Sequence, residues 1–109
     1  MNYTTRPKVI AVDFDGTLCK NAWPGIGEPY EGMIEDMKNL RRHGDKVILW
    51  TCREGEKLQE AVDWCAQFGL TFDAVNDNTE EQKKFYGGNC RKIMADVYID
   101  DKAWEPRYE

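Results

Sequence analysis

The stretch Val9-Ile10-Ala11-Val12-Asp13-Phe14-Asp15-Gly16-Thr17 decides the fold of this chain. Its first four residues are apolar, as is typical of a strand covered on both faces of a parallel sheet. Asp13 and Asp15 follow at once, and residues i and i+2 of an extended segment point to the same side. The stretch therefore predicts a buried strand that directs two carboxylates toward one pocket. A plain Asp-Gly turn is the alternative interpretation.

The rest of the chain alternates between strands and helices. A Gly- and Pro-rich loop at 15–29, which we interpret as a flap, is followed by two helical patterns and three further apolar runs. This order indicates an α/β fold of three layers, Rossmann-like, with a small and mostly parallel sheet. We expect strands at Lys8–Phe14, Lys46–Thr51, Phe72–Val75 and Ala95–Asp100, helices at Tyr30–His43 and Glu54–Phe68, and a loop with one helical turn at Asn76–Asn89.

The composition limits the number of domains and the kinds of partner. The 109 residues suit one compact domain, so we treat 1–109 as a single domain. A formal net charge of −5 argues against generic nucleic-acid binding. Neither a membrane-spanning run nor a signal-peptide core is present, which predicts a cytoplasmic protein without a membrane partner. The four cysteines form no Cys-x-x-Cys pair, and this disfavours zinc or a disulfide framework.

Polar residues follow the expected strands at one edge of the sheet. Thr51 ends the second strand, and Asp100-Asp101 end the fourth, as Asp13 and Asp15 end the first. In parallel sheets, ligands bind beyond the carboxyl ends of the strands. Four carboxylates gathered there repel one another unless a cation or a shared proton neutralises them. A hard cation with oxygen ligands, above all Mg²⁺, resolves that conflict.

Phosphoryl transfer is the chemistry that this set of residues suits. It needs a nucleophile, charge neutralisation and donors to the phosphate oxygens. The chain offers a carboxylate nucleophile, a metal site, the Thr51 hydroxyl and a cation near Lys92. A carboxylate can also form an acyl-phosphate intermediate, which divides one difficult displacement into two. For Thr51, a helix N-cap is the alternative interpretation.

These features resemble the haloacid dehalogenase superfamily of phosphohydrolases. Its first motif, a hydrophobic strand followed by Asp-x-Asp-Gly-Thr, matches residues 9–17 without departure. Its second motif, a strand ending in Thr or Ser, matches Thr51, and its fourth, a strand ending in an acidic pair, matches Asp100-Asp101. The resemblance covers nearly the whole chain in the right order.

The resemblance implies a role for each matched residue. Asp13 would be the nucleophile, and Asp15 would be the general acid and then the general base. Thr51 and Gly16 would bind the phosphate, and Mg²⁺ would be the cofactor. The expected metal-site residues are Asp13, Asp15 (through its backbone carbonyl), Asp100 and Asp101.

The third motif of the superfamily is a single Lys or Arg. Lys92, just ahead of the last strand, is our candidate for this phosphate-binding cation. A solvated surface lysine is the alternative interpretation of Lys92. Lys83, Lys84 and Arg91 compete for the role, so the assignment stays open among four cations.

Two departures from the family pattern bear on partners. The intervals from Asp13 to Thr51 and from Thr51 to Lys92 each hold a helix already, which leaves no room for a cap domain. The resemblance implies that such an open site takes a bulky or macromolecular substrate or is covered by a neighbouring subunit, and the expected substrate is a phosphorylated small molecule or the phosphorylated end of a polymer. The chain also stops soon after the acidic pair, which predicts an exposed edge strand at 95–100 and a possible homodimer.

Three side chains are candidate substrate contacts. Arg53, two residues after Thr51, would hold substrate or phosphate, and a surface salt bridge explains it equally well. Trp23 in the flap would stack on the substrate or cover the domain edge. Tyr86 is the third candidate, and none of the three indicates which phosphate ester is bound.

Two rival functions fit parts of the pattern. A signalling receiver domain also joins an acidic cluster, a phosphorylated Asp, a Thr and a Lys, but its acidic pair precedes its phospho-acceptor. A binding subunit with weak catalysis is the second rival, and the intact set of Asp13, Asp15, Thr51 and Asp100 argues against it. The leading prediction is a magnesium-dependent phosphatase that hydrolyses phosphate monoesters through an aspartyl phosphate on Asp13.

Overall fold

Four strands and three helices alternate along residues 6–102, the part of the chain that the computed structural model describes. The strands are β1 (Val9–Val12), β2 (Lys46–Leu49), β3 (Ala74–Val75) and β4 (Val97–Ile99), and the helices are α1 (Glu31–Arg42), α2 (Gly55–Gln67) and α3 (Glu80–Tyr86). Every strand pair is parallel, in the order β3-β2-β1-β4. The prediction of an α/β fold around a small parallel sheet is confirmed. None of these helices of the described chain is long and apolar enough to cross a membrane.

The register brings the carboxyl ends of the four strands level with one another. Val12 pairs with Leu49 of β2 on one side and with Ile99 of β4 on the other. Leu49 pairs in turn with Val75 of β3. Four loops therefore leave the sheet side by side, at the edge where open parallel sheets bind ligands. They begin at Asp13, Trp50, Asn76 and Asp100.

Strands β1, β2 and β4 end earlier than their sequence patterns predict, whereas β3 ends at Val75 as predicted and begins later, at Ala74. Backbone pairing continues for one hydrogen bond past β1, from the Asp13 N–H to the Ile99 carbonyl at 3.0 Å. Beyond that bond the chain turns away from the sheet. Phe14, Thr51 and Asp100, which we expected inside strands, therefore lie in loops.

The helices cover the two faces of the sheet unequally. The apolar stripes of α1 and α2 pack on one face, where Met37 and Cys65 join a common core cluster with β1 and β2. The opposite face has a smaller cluster of Ala11, Ile48 and Ile93, and α3 buries none of its residues. The third layer that we predicted is consequently thin, because α3 is short and its two aromatic residues, Phe85 and Tyr86, are exposed.

Helix α3 is longer than predicted. We expected one helical turn, and the structure has seven residues between Thr79 and Gly87. Thr79 and Gln82 form a reciprocal capping box at its start, and Gly87 ends it in the left-handed conformation. Capping at both ends stabilises a helix that has no buried stripe of its own.

Residues 15–29 form the predicted flap. Backbone hydrogen bonds join the two ends of this loop and so close its neck. The Lys20 N–H donates to the Glu28 carbonyl at 2.8 Å, and the Tyr30 N–H donates to the Leu18 carbonyl at 2.9 Å. Gly27 lies directly against the Lys20 carbonyl, where any Cβ would overlap it. Every helix and strand of residues 6–102 belongs to the strand–helix alternation, so the described chain contains no cap domain.

Strand β4 is an edge of the described sheet, as predicted. Val97 and Tyr98 are both exposed there. An unpaired edge with apolar side chains is a surface on which a second strand can add. The homodimer that we expect from this edge stays a prediction.

Candidate active site

Three carboxylates meet where β1 and β4 end. Asp13 follows β1, and Asp100 and Asp101 follow β4, which is the parallel neighbour of β1. One oxygen from each lies within 4.8 Å of the other two. That spacing is close to the span of the oxygen shell around one Mg²⁺, whose ligands lie at about 2.0–2.1 Å. The donor set therefore fits a hard divalent cation.

The environment of Asp13 disfavours its charged form. Burial raises the pKa of Asp13 from 3.8 to about 6. The backbone N–H of Phe14 opposes this rise, whereas the negative charges of Asp100, Asp101 and Asp15 add to it. A cation held between the carboxylates would reverse these electrostatic contributions and restore the ionised form of Asp13.

Gly16 allows the loop after β1 to approach Asp101. Its φ is +87°, a conformation that L side chains rarely adopt, and a Cβ there would lie 2.9 Å from the Asp101 Cγ. The N–H of Gly16 donates to the Cys19 carbonyl at 2.8 Å. We expected Gly16 to bind phosphate, but this N–H is already used within the flap. Its role in the structure is the close approach to Asp101.

The side chain of Asp15 lies apart from the three carboxylates. Its two oxygens accept hydrogen bonds from the Nε and Nη2 of Arg53, both at 2.8 Å. We expected Arg53 at a surface salt bridge or against substrate, yet its side chain is only 1% exposed. Arg53 is therefore a buried partner of Asp15, and the pairing raises the pKa of its guanidinium above the ordinary value.

Trp23 covers the outer face of that guanidinium. The Arg53 Cζ lies 4.9 Å from the Trp23 ring centroid and 5.0 Å from the Phe14 ring centroid. Trp23 is itself 58% exposed. Of our two expectations for Trp23, the structure shows the covering role, and its outer surface stays open to solvent.

Thr51 lies in a turn that also carries Arg53. The Thr51 Oγ1 accepts the Arg53 N–H at 3.2 Å, and the N-cap of α2 is Glu54, so the alternative interpretation of Thr51 as an N-cap is wrong. Because an accepting hydroxyl keeps its own proton, Thr51 remains able to donate to a phosphate oxygen.

Asn76 fixes this turn, and our sequence reasoning missed it. Its Oδ1 accepts the Thr51 N–H at 2.8 Å, and its Nδ2 donates to the Arg53 carbonyl at 3.4 Å. Asn76 also has a positive φ of 50°, which Asn tolerates better than most residues. The available signal was its position directly after β3, at the same edge as the acidic residues.

The structure does not bring Lys92 into contact with the acidic group. Lys92 is exposed, and its ammonium lies 5.7 Å from the centroid of the Tyr98 ring. Lys83, a competitor for the same role, pairs with Asp77 at 2.7 Å. The choice among Lys92, Lys83, Lys84 and Arg91 stays a prediction.

A second overlooked residue organises the loop before β4. Asn78 is buried, and its side chain donates to the Lys92 carbonyl and accepts the Met94 N–H. The backbone around Lys92 is thus held while the lysine side chain projects outward. Tyr86, our third candidate contact, is exposed at the end of α3.

A cavity of about 280 Å³ adjoins two of the three carboxylates, those of Asp100 and Asp101. Its polar side is formed by Asp100, Asp101 and Gly16, and the buried hydroxyl of Thr17, another lining residue, has no hydrogen-bond partner. The remaining lining residues are Tyr30, Met33 and Ile99. The site therefore opens onto a space with both polar and apolar walls.

Comparison with known proteins gives one informative similarity. No known family model matches the chain, and no curated protein does. Among solved structures, the chain is similar to a conserved protein from Bacteroides thetaiotaomicron, with 42% sequence identity and a TM-score of 0.80. The match covers 90% of this chain and 78% of the other. The similarity therefore concerns the fold as a whole and not a single motif.

Proposed function

The chain belongs to the same family as the conserved Bacteroides thetaiotaomicron protein, and we propose that it is a magnesium-dependent phosphatase of the haloacid dehalogenase type. The observation that carries this proposal is the separation of two carboxylate environments at one sheet edge. Asp13 lies with two other acidic residues that fit a cation, while Asp15, two positions later, is paired with an arginine. A cation bound in the first group would leave Asp13 ionised as a nucleophile, and the Asp15 side chain stays outside the metal site for acid–base work.

The metal site would be formed by Asp13, Asp100 and Asp101. Bound Mg²⁺ would supply positive charge that screens the nucleophile from the phosphate and stabilises the transferred group. The backbone carbonyl of Asp15 would add a further ligand. The raised pKa of Asp13 supports this assignment, because an acidic group without a cation is electrostatically unfavourable.

In the first step, an Asp13 oxygen attacks phosphorus in line with the ester bond. The bond between phosphorus and the ester oxygen breaks, and its electron pair stays on the leaving oxygen. Asp15 donates a proton to that oxygen, so the product leaves as an alcohol. Asp13 then carries the phosphoryl group as a mixed anhydride.

In the second step, Asp15 acts as a base. It takes a proton from water while the water oxygen attacks phosphorus, and the bond between phosphorus and Asp13 breaks. Inorganic phosphate leaves, Asp13 is restored as a carboxylate, and Asp15 holds the proton for the next cycle. The Thr51 hydroxyl and a nearby cation, with Lys92 as our candidate, would donate to the phosphoryl oxygens in both steps.

The substrate class follows from the open site. Without a cap domain among residues 6–102, a short flap and the cavity beside Asp100 and Asp101 are the features that can contact a leaving group. We infer a phosphorylated small molecule or the phosphorylated end of a polymer as substrate.

The experiment is a phosphate-release assay over a panel of monoesters, with Mg²⁺ and with EDTA. We expect turnover that requires Mg²⁺, and loss of turnover in Asp13→Asn. Asp36→Asn, an exposed carboxylate on α1, is the matched control and should keep full activity. Sustained magnesium-dependent turnover by Asp13→Asn would overturn the nucleophile assignment.

Two other results would favour the rival functions. Stoichiometric phosphorylation of Asp13 from a small phosphodonor, stable and without turnover, would indicate a receiver-like domain. Inactivity of the wild-type chain on the whole panel, despite measurable Mg²⁺ binding, would indicate a binding subunit.

A further inference from the structure

Arg53 is the most completely engaged side chain near the site. Its Nε and Nη2 donate to Asp15, its Nη2 also donates to the Gly25 carbonyl at 2.8 Å, and its Nη1 donates to the Lys57 carbonyl at 3.3 Å. Every nitrogen of the guanidinium therefore has an acceptor. The group is 1% exposed, so it is not available to a substrate in this arrangement.

Two aromatic rings also lie close to the guanidinium. One is Phe14, which separates the two catalytic aspartates, and the other is Trp23 in the flap tip (residues 23–25); their centroids lie 5.0 and 4.9 Å from the Cζ. An arginine held by acceptors around its edge and by aromatic rings has one available orientation.

We propose that Arg53 is a positioning residue that aligns the Asp15 carboxylate for proton transfer and ties that alignment to the closed position of the flap tip. The inference rests on the proposed function, since it assigns Arg53 to the acid–base step of that reaction. It concerns orientation: among the acidic residues of the site, Arg53 bonds to the side chain of Asp15 and to none of Asp13, Asp100 and Asp101.

The geometry explains how a paired carboxylate still transfers protons. Each carboxylate oxygen has two lone-pair positions, and Arg53 occupies one on each Asp15 oxygen. The remaining position can accept a proton from water or hold the proton that is given to the leaving group. The bidentate contact fixes the plane of the carboxylate, and this plane determines where the free position points.

Gly25 and Trp23 connect the flap to Arg53. Both belong to its tip, and both contact the same guanidinium. If the tip moves away, Arg53 loses one acceptor and one aromatic cover, and its hold on Asp15 weakens. The flap therefore acts on the chemistry through Asp15, in addition to any contact with substrate.

The test compares substrates that need a general acid with substrates that do not. The leaving group of p-nitrophenyl phosphate is a stable anion and needs little protonation, whereas that of glycerol 1-phosphate must be protonated. We expect Arg53→Lys and Arg53→Gln to lower kcat/KM, which reports phosphoryl transfer to Asp13 and excludes the hydrolysis step common to both esters, by about 10²-fold on glycerol 1-phosphate and by only a few-fold on p-nitrophenyl phosphate.

Trp23→Leu should also lower kcat/KM more on glycerol 1-phosphate than on p-nitrophenyl phosphate, with a smaller loss than in the Arg53 variants. Because Trp23 is largely exposed, this variant tests the proposal even if the Arg53 variants fold poorly. Arg42→Gln, an exposed arginine on α1, is the control and should change neither substrate. The double variant Asp15→Asn with Arg53→Gln should be no slower on glycerol 1-phosphate than Asp15→Asn alone.

Equal losses in kcat/KM on both substrates in the Arg53 and Trp23 variants would overturn the positioning role, because a general loss of fold or of phosphate binding affects both esters alike. Lack of magnesium-dependent turnover by the wild-type chain on either ester is a separate result. It would overturn the proposed function itself, and the inference with it.

Discussion

The backbone of Gly16 lies against the carboxylate of Asp101, so closely that no side chain fits between them. The contact joins the loop after β1 to the loop after β4. It holds the third carboxylate of the acidic group next to the first. The positive φ of Gly16 makes this approach possible, because it turns the chain toward β4 immediately after Asp15.

Gly16→Ala should therefore weaken Mg²⁺ binding as well as stability. The methyl group would displace the Asp101 carboxylate, and a positive φ costs a non-glycine residue about 1–2 kcal/mol. Gly44→Ala is a matched control, since Gly44 has a φ of +97° with no atom near its Cβ position. Both variants should unfold at lower denaturant concentration, but only Gly16→Ala should lose Mg²⁺ affinity by calorimetry. Equal affinity in the two variants would show that the contact with Asp101 has no part in metal binding.

Asp13→Asn should stabilise the metal-free protein while it abolishes turnover. The folded pKa of Asp13, about 6, lies above the ordinary value of 3.8. The stability linked to its protonation is therefore present below pH 3.8 and is lost as the pH rises through about 6. In EDTA, the melting temperature of Asp13→Asn should exceed that of the wild type above pH 6, and the gap should close toward pH 4. A difference of about 1 kcal/mol corresponds to about 4–8 °C in a domain of this size. A gap that is constant with pH would contradict the titration of Asp13.

Mg²⁺ binding should depend on pH for the same reason. A proton on Asp13 competes with the cation, so affinity should fall as the pH decreases through about 6. The rise in melting temperature that Mg²⁺ produces should be large at pH 8 and small at pH 5. In Asp13→Asn this dependence should be much weaker. An undiminished pH dependence in that variant would assign the effect to another carboxylate.

Asn76→Ala should lower kcat, and the loss expressed as activation free energy should exceed the loss in the free energy of unfolding. The substitution removes the hydrogen bonds that hold Thr51 and Arg53, each worth about 1 kcal/mol, and leaves alanine at a positive φ. Asn76→Gly removes the same bonds but relieves the backbone strain. The two variants should therefore share the loss in kcat and differ in urea midpoint. A wild-type kcat in both would show that the turn needs no support from Asn76.

Substitutions that remove the charge can distinguish the candidates for the phosphate-binding cation. Lys92→Gln should raise KM and lower kcat if Lys92 moves to the phosphate when substrate binds, whereas Lys84→Gln should leave both unchanged. The present contact of Lys92 with the Tyr98 ring is weak at an exposed site, about 0.5–1 kcal/mol, and a phosphate can replace it. Unchanged kinetics in Lys92→Gln would transfer the role to Arg91 or Lys84.

The sequence predicts the sheet well because the strand signals are local. Val9–Val12 and Lys46–Leu49 are apolar runs, and the acidic residues that follow β1 and β4 meet as soon as the strands pair in parallel. The pairing of Arg53 with Asp15 could not be predicted in this way. It depends on how a turn after β2 folds toward the loop after β1, and periodicity carries no information about that.

Helix α3 shows a different limit of prediction from the sequence. Its capping residues Thr79 and Gln82 are visible in the sequence, but the segment lacks the apolar stripe from which helices are usually recognised. Asn76 and Asn78 were missed for a related reason. Their amides bond to backbone groups distant along the chain, and an Asn in a loop gives no indication of such partners.

The closed neck of the flap has a consequence for how new specificities can arise in this protein. The hydrogen bonds between Lys20 and Glu28 and between Tyr30 and Leu18 make the segment between them an exchangeable module. Doubling the length of such a loop costs only about 0.6 kcal/mol in closure entropy. A grafted segment that keeps a carbonyl and an aromatic ring over Arg53 would alter what the site recognises while the sheet edge is left untouched.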